Sequence, residues 1–238
     1  MKKAVSEFRE MLKTVPPLLL TLTVLAVVGM NLLANKSIVN LRWLALDAGI
    51  LLSWMAFLTM DILTHCYGPR AATLFSVFAL VLNLLMAGIF FAASRVPGMW
   101  GESFVEGSEP IINAALDNTF GGTWYIILGS SVAFLTSAIV NNFLNYGIGK
   151  LLKKQEGFGQ FALRSYVSTF IGQFVDNLVF ALLVSRFFFG WTTLQCLTCA
   201  VTGAVAELLF EIVFSPLGYR ISRRIMARQG VEPKGALA

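Results

Sequence analysis

Long apolar runs, broken by short polar links, occupy nearly all of this 238-residue chain, and carboxylates sit inside several of them. A charged group in hydrocarbon costs roughly 3 kcal/mol or more, so it persists only where it has a partner, a watery cavity or a task. The pattern therefore points to an integral membrane protein with a polar interior. The runs predict six transmembrane helices, over about 15–34, 44–65, 70–94, 122–148, 164–189 and 194–220. They are continuously apolar rather than alternating, and too long for barrel strands, so no strand is expected. A single six-helix membrane domain over 1–238 is the economical arrangement. The stretch 96–119, with Glu102, Glu106, Glu109 and Asp117, reads as the one long connection, and 110–116 as a short surface or re-entrant helix within it.

Charge agrees with this reading. Hydrophobic residues make up 57% of the chain and charged residues 13%, against about a quarter in an ordinary soluble domain. The net charge of +5 does not imply nucleic acid, because the basic residues fall on one side of the predicted topology. With a cytoplasmic N-terminus, that side holds Lys2, Lys3, Arg9, Lys13, Arg70, Lys150, Lys153, Lys154, Arg164, Arg220, Arg223, Arg224, Arg228 and Lys234. Only Lys36, Arg42, Arg95 and Arg186 remain on the other. Positive charge marks the cytoplasmic face, so both termini are expected in the cytoplasm of a cell (inner) membrane. The Cys196-x-x-Cys199 spacing lies in an apolar run with no His nearby and reads as helix packing. His65 is the only histidine, too few for a zinc or haem site, and no metal or cofactor is expected.

Polar residues fall on helical stripes. Asp47, Trp54 and Asp61 are spaced by sevens on the second run with His65 four further on, near one helix face. The fourth run places Gly129, Ala133, Ser137, Asn141 and Asn145 at steps of four, a spacing that serves close helix packing and cross-helix hydrogen bonding. Ser168, Gly172 and Asp176 form a stripe on the fifth, beside Gln173 and Asn177; Gly203, Glu207, Glu211 and Ser215 form one on the sixth. Asp47 lies either at the membrane surface or at a helix cap. Glu207 and Glu211 repel each other at i, i+4 if both are ionised, so one is protonated or a cation lies between them. Asp61, Asp176 and Glu207 or Glu211 are expected to converge on one interior cavity. Such an acidic interior suits a ligand that donates hydrogen bonds or carries positive charge.

The residues around these carboxylates resemble the queuosine precursor transporters, also called the vitamin uptake transporter (VUT) family. MDILTHCYGPRAA, with Asp61 ahead of Tyr67-Gly68, is similar to that family's D-I-x-x-x-x-Y-G pattern. SYVSTFIGQFVDNLVF resembles its fifth helix at Ser168-Thr169, Gly172-Gln173, Asp176 and Phe180. ELLFEIVFSPLGY, with Glu211, Pro216 and Tyr219, resembles its last helix. The resemblance implies an importer with a fold similar to the substrate-binding subunits of energy-coupling-factor transporters. Its substrates would be 7-deazaguanine bases or a related vitamin-like heterocycle. Members often carry a Lys near Ala206, which this chain lacks.

A guanine-like base presents a ring N–H beside an amino group, which one carboxylate accepts together, while an amide meets its carbonyl edge and an aromatic ring stacks on it. The expected substrate contacts are Asp61, Gln173, Asp176, Asn177, Glu207, Glu211, Trp54 and Asn141, with no catalytic residue. The alternative within transport is a binding subunit for another vitamin that works with an energy-coupling module; a homodimer is the other candidate assembly. An intramembrane enzyme ranks below both, because neither His-Glu-x-x-His nor Gly-x-Ser-x-Gly occurs.

Overall fold

A computed structural model describes residues 12–104, 106–152 and 157–228. Lys2, Lys3, Arg9, Lys153, Lys154 and Lys234, used above for orientation, lie outside the described residues. Helix α1 spans Pro17–Leu33, α2 Ile50–Tyr67, α3 Pro69–Ala93, α4 Glu109–Leu151, α5 Phe158–Phe180 and α6 Thr193–Arg228. Helix α5 continues through a π-helical turn, Ala181–Ser185, to Phe188. Among the described residues, α2, α3, α4, α5 with its continuation, and α6 are long and apolar enough to cross a membrane, and α1 is a shorter apolar helix. The chain is an all-α membrane protein. Helix α5 packs between α4 and α6, and α2 packs on both α1 and α6, so the polar stripes of α2, α4, α5 and α6 face one another.

Two expectations need correction. The second run does not become helical at 44, and strand occurs where none was expected. Ser37–Asn40 and Ala45–Asp47 form a short antiparallel hairpin, β1 and β2, and α2 begins only at Ile50. A run such as Leu41–Leu46 fits strand and helix equally by hydrophobicity; here the backbone of the turn is claimed by α6. Gln195 Nε2 donates to the Leu41 carbonyl at 2.9 Å and Thr198 Oγ1 to that of Trp43 at 2.6 Å. Asp47 then holds the helix entrance, its Oδ1 accepting from the Gly49 N–H at 2.8 Å. It therefore does not share a helix face with Trp54 and Asp61. Gly49 is needed there, since a Cβ would come within 2.9 Å of the Met30 carbonyl oxygen.

The second correction concerns 110–116, which is no separate helix. It forms the opening turns of the 43-residue α4. Pro110 suits the first turn and Glu109 complements the helix dipole there. At 1.5 Å per residue α4 is roughly 65 Å long, about twice the hydrocarbon thickness, so one end projects beyond it. The preceding loop clasps this end: the Trp100 indole N–H donates to Asp117 Oδ1 at 2.9 Å and its ring stacks on Phe120 at 5.0 Å.

Irregular backbone is tolerated in hydrocarbon only when its polar groups find partners, and both irregularities here do. The π turn frees carbonyls that side chains take up, with Tyr125 Oη donating to Leu183 O at 2.7 Å and Cys196 Sγ to Ala181 O at 3.5 Å. Pro216, inside α6, has no N–H for the Ile212 carbonyl; Ser215 Oγ donates to that carbonyl at 3.1 Å instead. Cys196 and Cys199 are buried free thiols.

Close approach of α2, α4 and α5 depends on Gly172. A Cβ there would lie 2.8 Å from the Phe57 ring and 3.0 Å from the Asn141 Cβ. Phe57 and Asn141 are fully buried, so neither yields easily. Gly172→Ala is expected to cost about 1–3 kcal/mol as overpacking, seen as a lowered midpoint of thermal unfolding in detergent. An unchanged midpoint would show that the three helices can separate freely.

Candidate substrate site in the helix bundle

Two polar networks lie one above the other between the helices. The first surrounds a cavity lined by Met30, Asn31, Ala34, Asp47, Gly49, Ile50, Ser53, Ser130, Asp176, Asn177, Phe180 and Glu207, with ≈ 320 Å³ of empty space that includes some open to the outside. Asp176 is half-buried, and its Oδ1 accepts from Ser137 Oγ at 2.8 Å. Glu207 is buried, with Oε1 accepting from Ser53 Oγ and Oε2 from Asn177 Nδ2 at 3.1 Å. That last bond needs Gly203, because a Cβ there would come within 2.6 Å of Asn177 Nδ2. Asn31 Oδ1 accepts from Ser130 Oγ, and among the described residues Asn31 Nδ2 has no partner.

The second network joins Asp61 and Glu211, both fully buried. Asn141 Nδ2 donates to Asp61 Oδ1 at 2.8 Å. Ser165 Oγ bridges Asp61 Oδ2 and Glu211 Oε1, and Thr169 Oγ1 lies 3.2 Å from Asp61 Oδ2 and 3.3 Å from Glu211 Oε2. Glu207 and Glu211 are one turn apart, about 6 Å along the axis, so the two networks are distinct layers. Gln173, on α5 between Thr169 and Asn177, is fully buried, and among the described residues neither its Oε1 nor its Nε2 has a partner.

The expected convergence on one cavity is not what the structure shows: the set is divided between two layers. Asp176, Asn177 and Glu207 line the cavity together, while Asp61, Asn141 and Glu211 gather in the adjoining layer and are not in its lining. Trp54 is in neither: its indole N–H donates to Leu51 O at 2.9 Å, and its ring stacks on Phe214 and Phe210 with centroids 4.2 and 5.9 Å away. His65 packs edge-on against Phe161. The stripe reading missed Asn31, Ser53, Ser130 and Ser165. Ser53 and Asp61 are eight residues apart on α2, and Ser165 is four from Thr169 and eight from Gln173. That periodicity was available in the sequence, but isolated hydroxyls in apolar helices are common.

Fold and site together define a multi-pass membrane protein whose helices enclose an acidic, amide-rich interior. A family model described as "Putative vitamin uptake transporter" matches residues 47–221, and the chain belongs to that family. No curated protein and no solved structure was found to match it. The matched range contains every carboxylate of both networks; Asn31 precedes it.

Proposed function

We propose that this transporter imports 7-deazaguanine bases, the precursors of queuosine, and that it holds them in the cavity between α1, α2, α4, α5 and α6. The observation that carries the reading is the cavity's mix of polar groups. Asp176 and Glu207 are acceptors for the ring N–H and amino group, and the unpartnered Asn31 Nδ2 is a donor for the carbonyl. Charge-assisted bonds of this kind are the strong ones. Asn177 sets Glu207, and Gln173, outside the cavity lining, lies one turn away on the same helix as a further amide within reach of the base. Asp61, Glu211, Asn141 and Trp54 act from outside the cavity lining. The protein is one six-helix domain of the cell (inner) membrane with no catalytic activity of its own.

Ligand binding stabilises the folded state by mass action, by about 2.7 kcal/mol at a hundredfold excess over Kd. Purified protein should therefore gain thermal stability with 7-deazaguanine bases and not with biotin, riboflavin or folate. Stabilisation by one of the vitamins alone would move the substrate assignment to that vitamin. Copurification with an ATP-driven module would favour the energy-coupling alternative.

Both termini face the cytoplasm in this proposal. A reporter fused after Ala238 should report that compartment, and one inserted within 100–110 the exterior. The reverse pattern would overturn the orientation.

A further inference from the structure

The layer beneath the cavity holds more oxygen–oxygen contacts than it has hydroxyl hydrogens. Ser165 Oγ and Thr169 Oγ1 each lie within hydrogen-bonding reach of both Asp61 and Glu211. A hydroxyl donates once, so the contacts are all satisfied only when the carboxyls themselves carry hydrogen. A metal cation suits the arrangement poorly, because the oxygens already touch one another directly and Asn141 offers Asp61 an N–H.

Two observations outside this set of bonds point the same way. Asn141 Oδ1, on the amide that donates to Asp61, is fully buried and has no partner among the described residues. Arg164, on α5 next to Ser165, is only 7% exposed, and its Nε and Nη2 have no partner among the described residues. Its neighbour Ser165 bonds Asp61 directly. A buried guanidinium with an open edge is costly unless negative charge is within reach.

We propose that Asp61 and Glu211 form a proton-binding site that carries a proton together with substrate, and that Arg164 takes up the carboxylate charge when the proton leaves. The proposal rests on the transport reading but not on its choice of ligand. In the loaded state Asp61 and Glu211 each carry a hydrogen, shared through Ser165 and Thr169, and one of the two is the transported proton. On release the O–H bond breaks, the proton passes to water, and the electron pair stays on the carboxylate oxygen. The elements around the pair are α2, α4, α5 and α6. Their other titratable groups nearby are His65, one turn beyond Asp61; Glu207, one turn from Glu211; and Tyr166, whose hydroxyl pairs with Ser215 Oγ at 2.7 Å. Helix α4 contributes the amides Asn141, Asn142 and Asn145, and its Gly149 approaches Arg164, next to Lys150.

Infrared difference spectra of the purified protein between about pH 5 and pH 9, a span that brackets perturbed carboxyls, test the site without any substrate. A protonated-carboxyl band altered by both Asp61→Asn and Glu211→Gln is the expected result. A band indifferent to both substitutions overturns the site. Vesicles reconstituted with the wild-type protein test the coupling. Uptake of a labelled 7-deazaguanine base should rise several-fold with an acidic exterior, and Arg164→Met should lose that stimulation while retaining base-for-base exchange. Stimulation by a sodium gradient instead, or equal uptake with and without a pH gradient, overturns proton coupling and leaves the transport reading standing. No uptake under any gradient sinks the proposed ligand, while the infrared result still decides the proton site.

Discussion

Asp176→Asn is expected to weaken binding of a 7-deazaguanine base by roughly two orders of magnitude, a few kcal/mol, with little change in folding. The side chain lines the cavity, and one of its oxygens is already held by Ser137. If the carboxylate accepts a ring N–H and an amino group, the amide keeps the shape but turns one acceptor into a donor facing donors. Losing an acceptor at a charged, desolvated contact falls at the upper end of hydrogen-bond energies. Folding should be spared, because the Ser137 hydroxyl can still donate to the amide oxygen and a charge disappears from the interior. Titration of thermal stability against ligand concentration separates these effects. Normal affinity in the variant would remove Asp176 from the site. A variant that fails to reach the membrane would show a structural role instead.

Different physical signals made different parts of this protein legible. Length and continuous hydrophobicity marked every helix, because hydrocarbon leaves the backbone few alternatives. The boundaries were harder. Leu41–Leu46 is apolar enough to read as helix, and only its capture by Gln195 and Thr198, some 150 residues away, makes it a hairpin. The fourth helix was expected only from about 122, yet α4 runs from Glu109.

Asp176, Asn177 and Glu207 stood out because a charge or amide in an apolar run is expensive enough to need a reason. Their division from Asp61 and Glu211 into separate layers did not. It depends on the axial offset between helices, which stripes on single helices do not contain. Asn31 was missed for a related reason: one amide near the end of a short apolar helix reads as ordinary until Ser130 is seen against it.

Asp61→Leu is expected to destabilise the protein by about 3 kcal/mol or more. The cost comes from the partners left behind. Asn141 Nδ2 loses its acceptor in a fully buried position, and an orphaned buried donor costs about 1–3 kcal/mol. Ser165 and Thr169 keep Glu211 but lose half of their bridge. The added apolar bulk recovers little, since Leu is branched where Asp packed flat among amides and hydroxyls. Removing both ends of the bond should cost less than removing one, so Asp61→Leu combined with Asn141→Leu should be more stable than the two single losses sum to. A double-mutant cycle of unfolding midpoints in detergent measures that coupling, expected at about 0.5–3 kcal/mol for groups in contact. Strict additivity would mean that the Asp61–Asn141 bond does not hold α2 to α4. The layer would then owe its arrangement to the Ser165 and Thr169 contacts and to packing around Phe57 and Gly172.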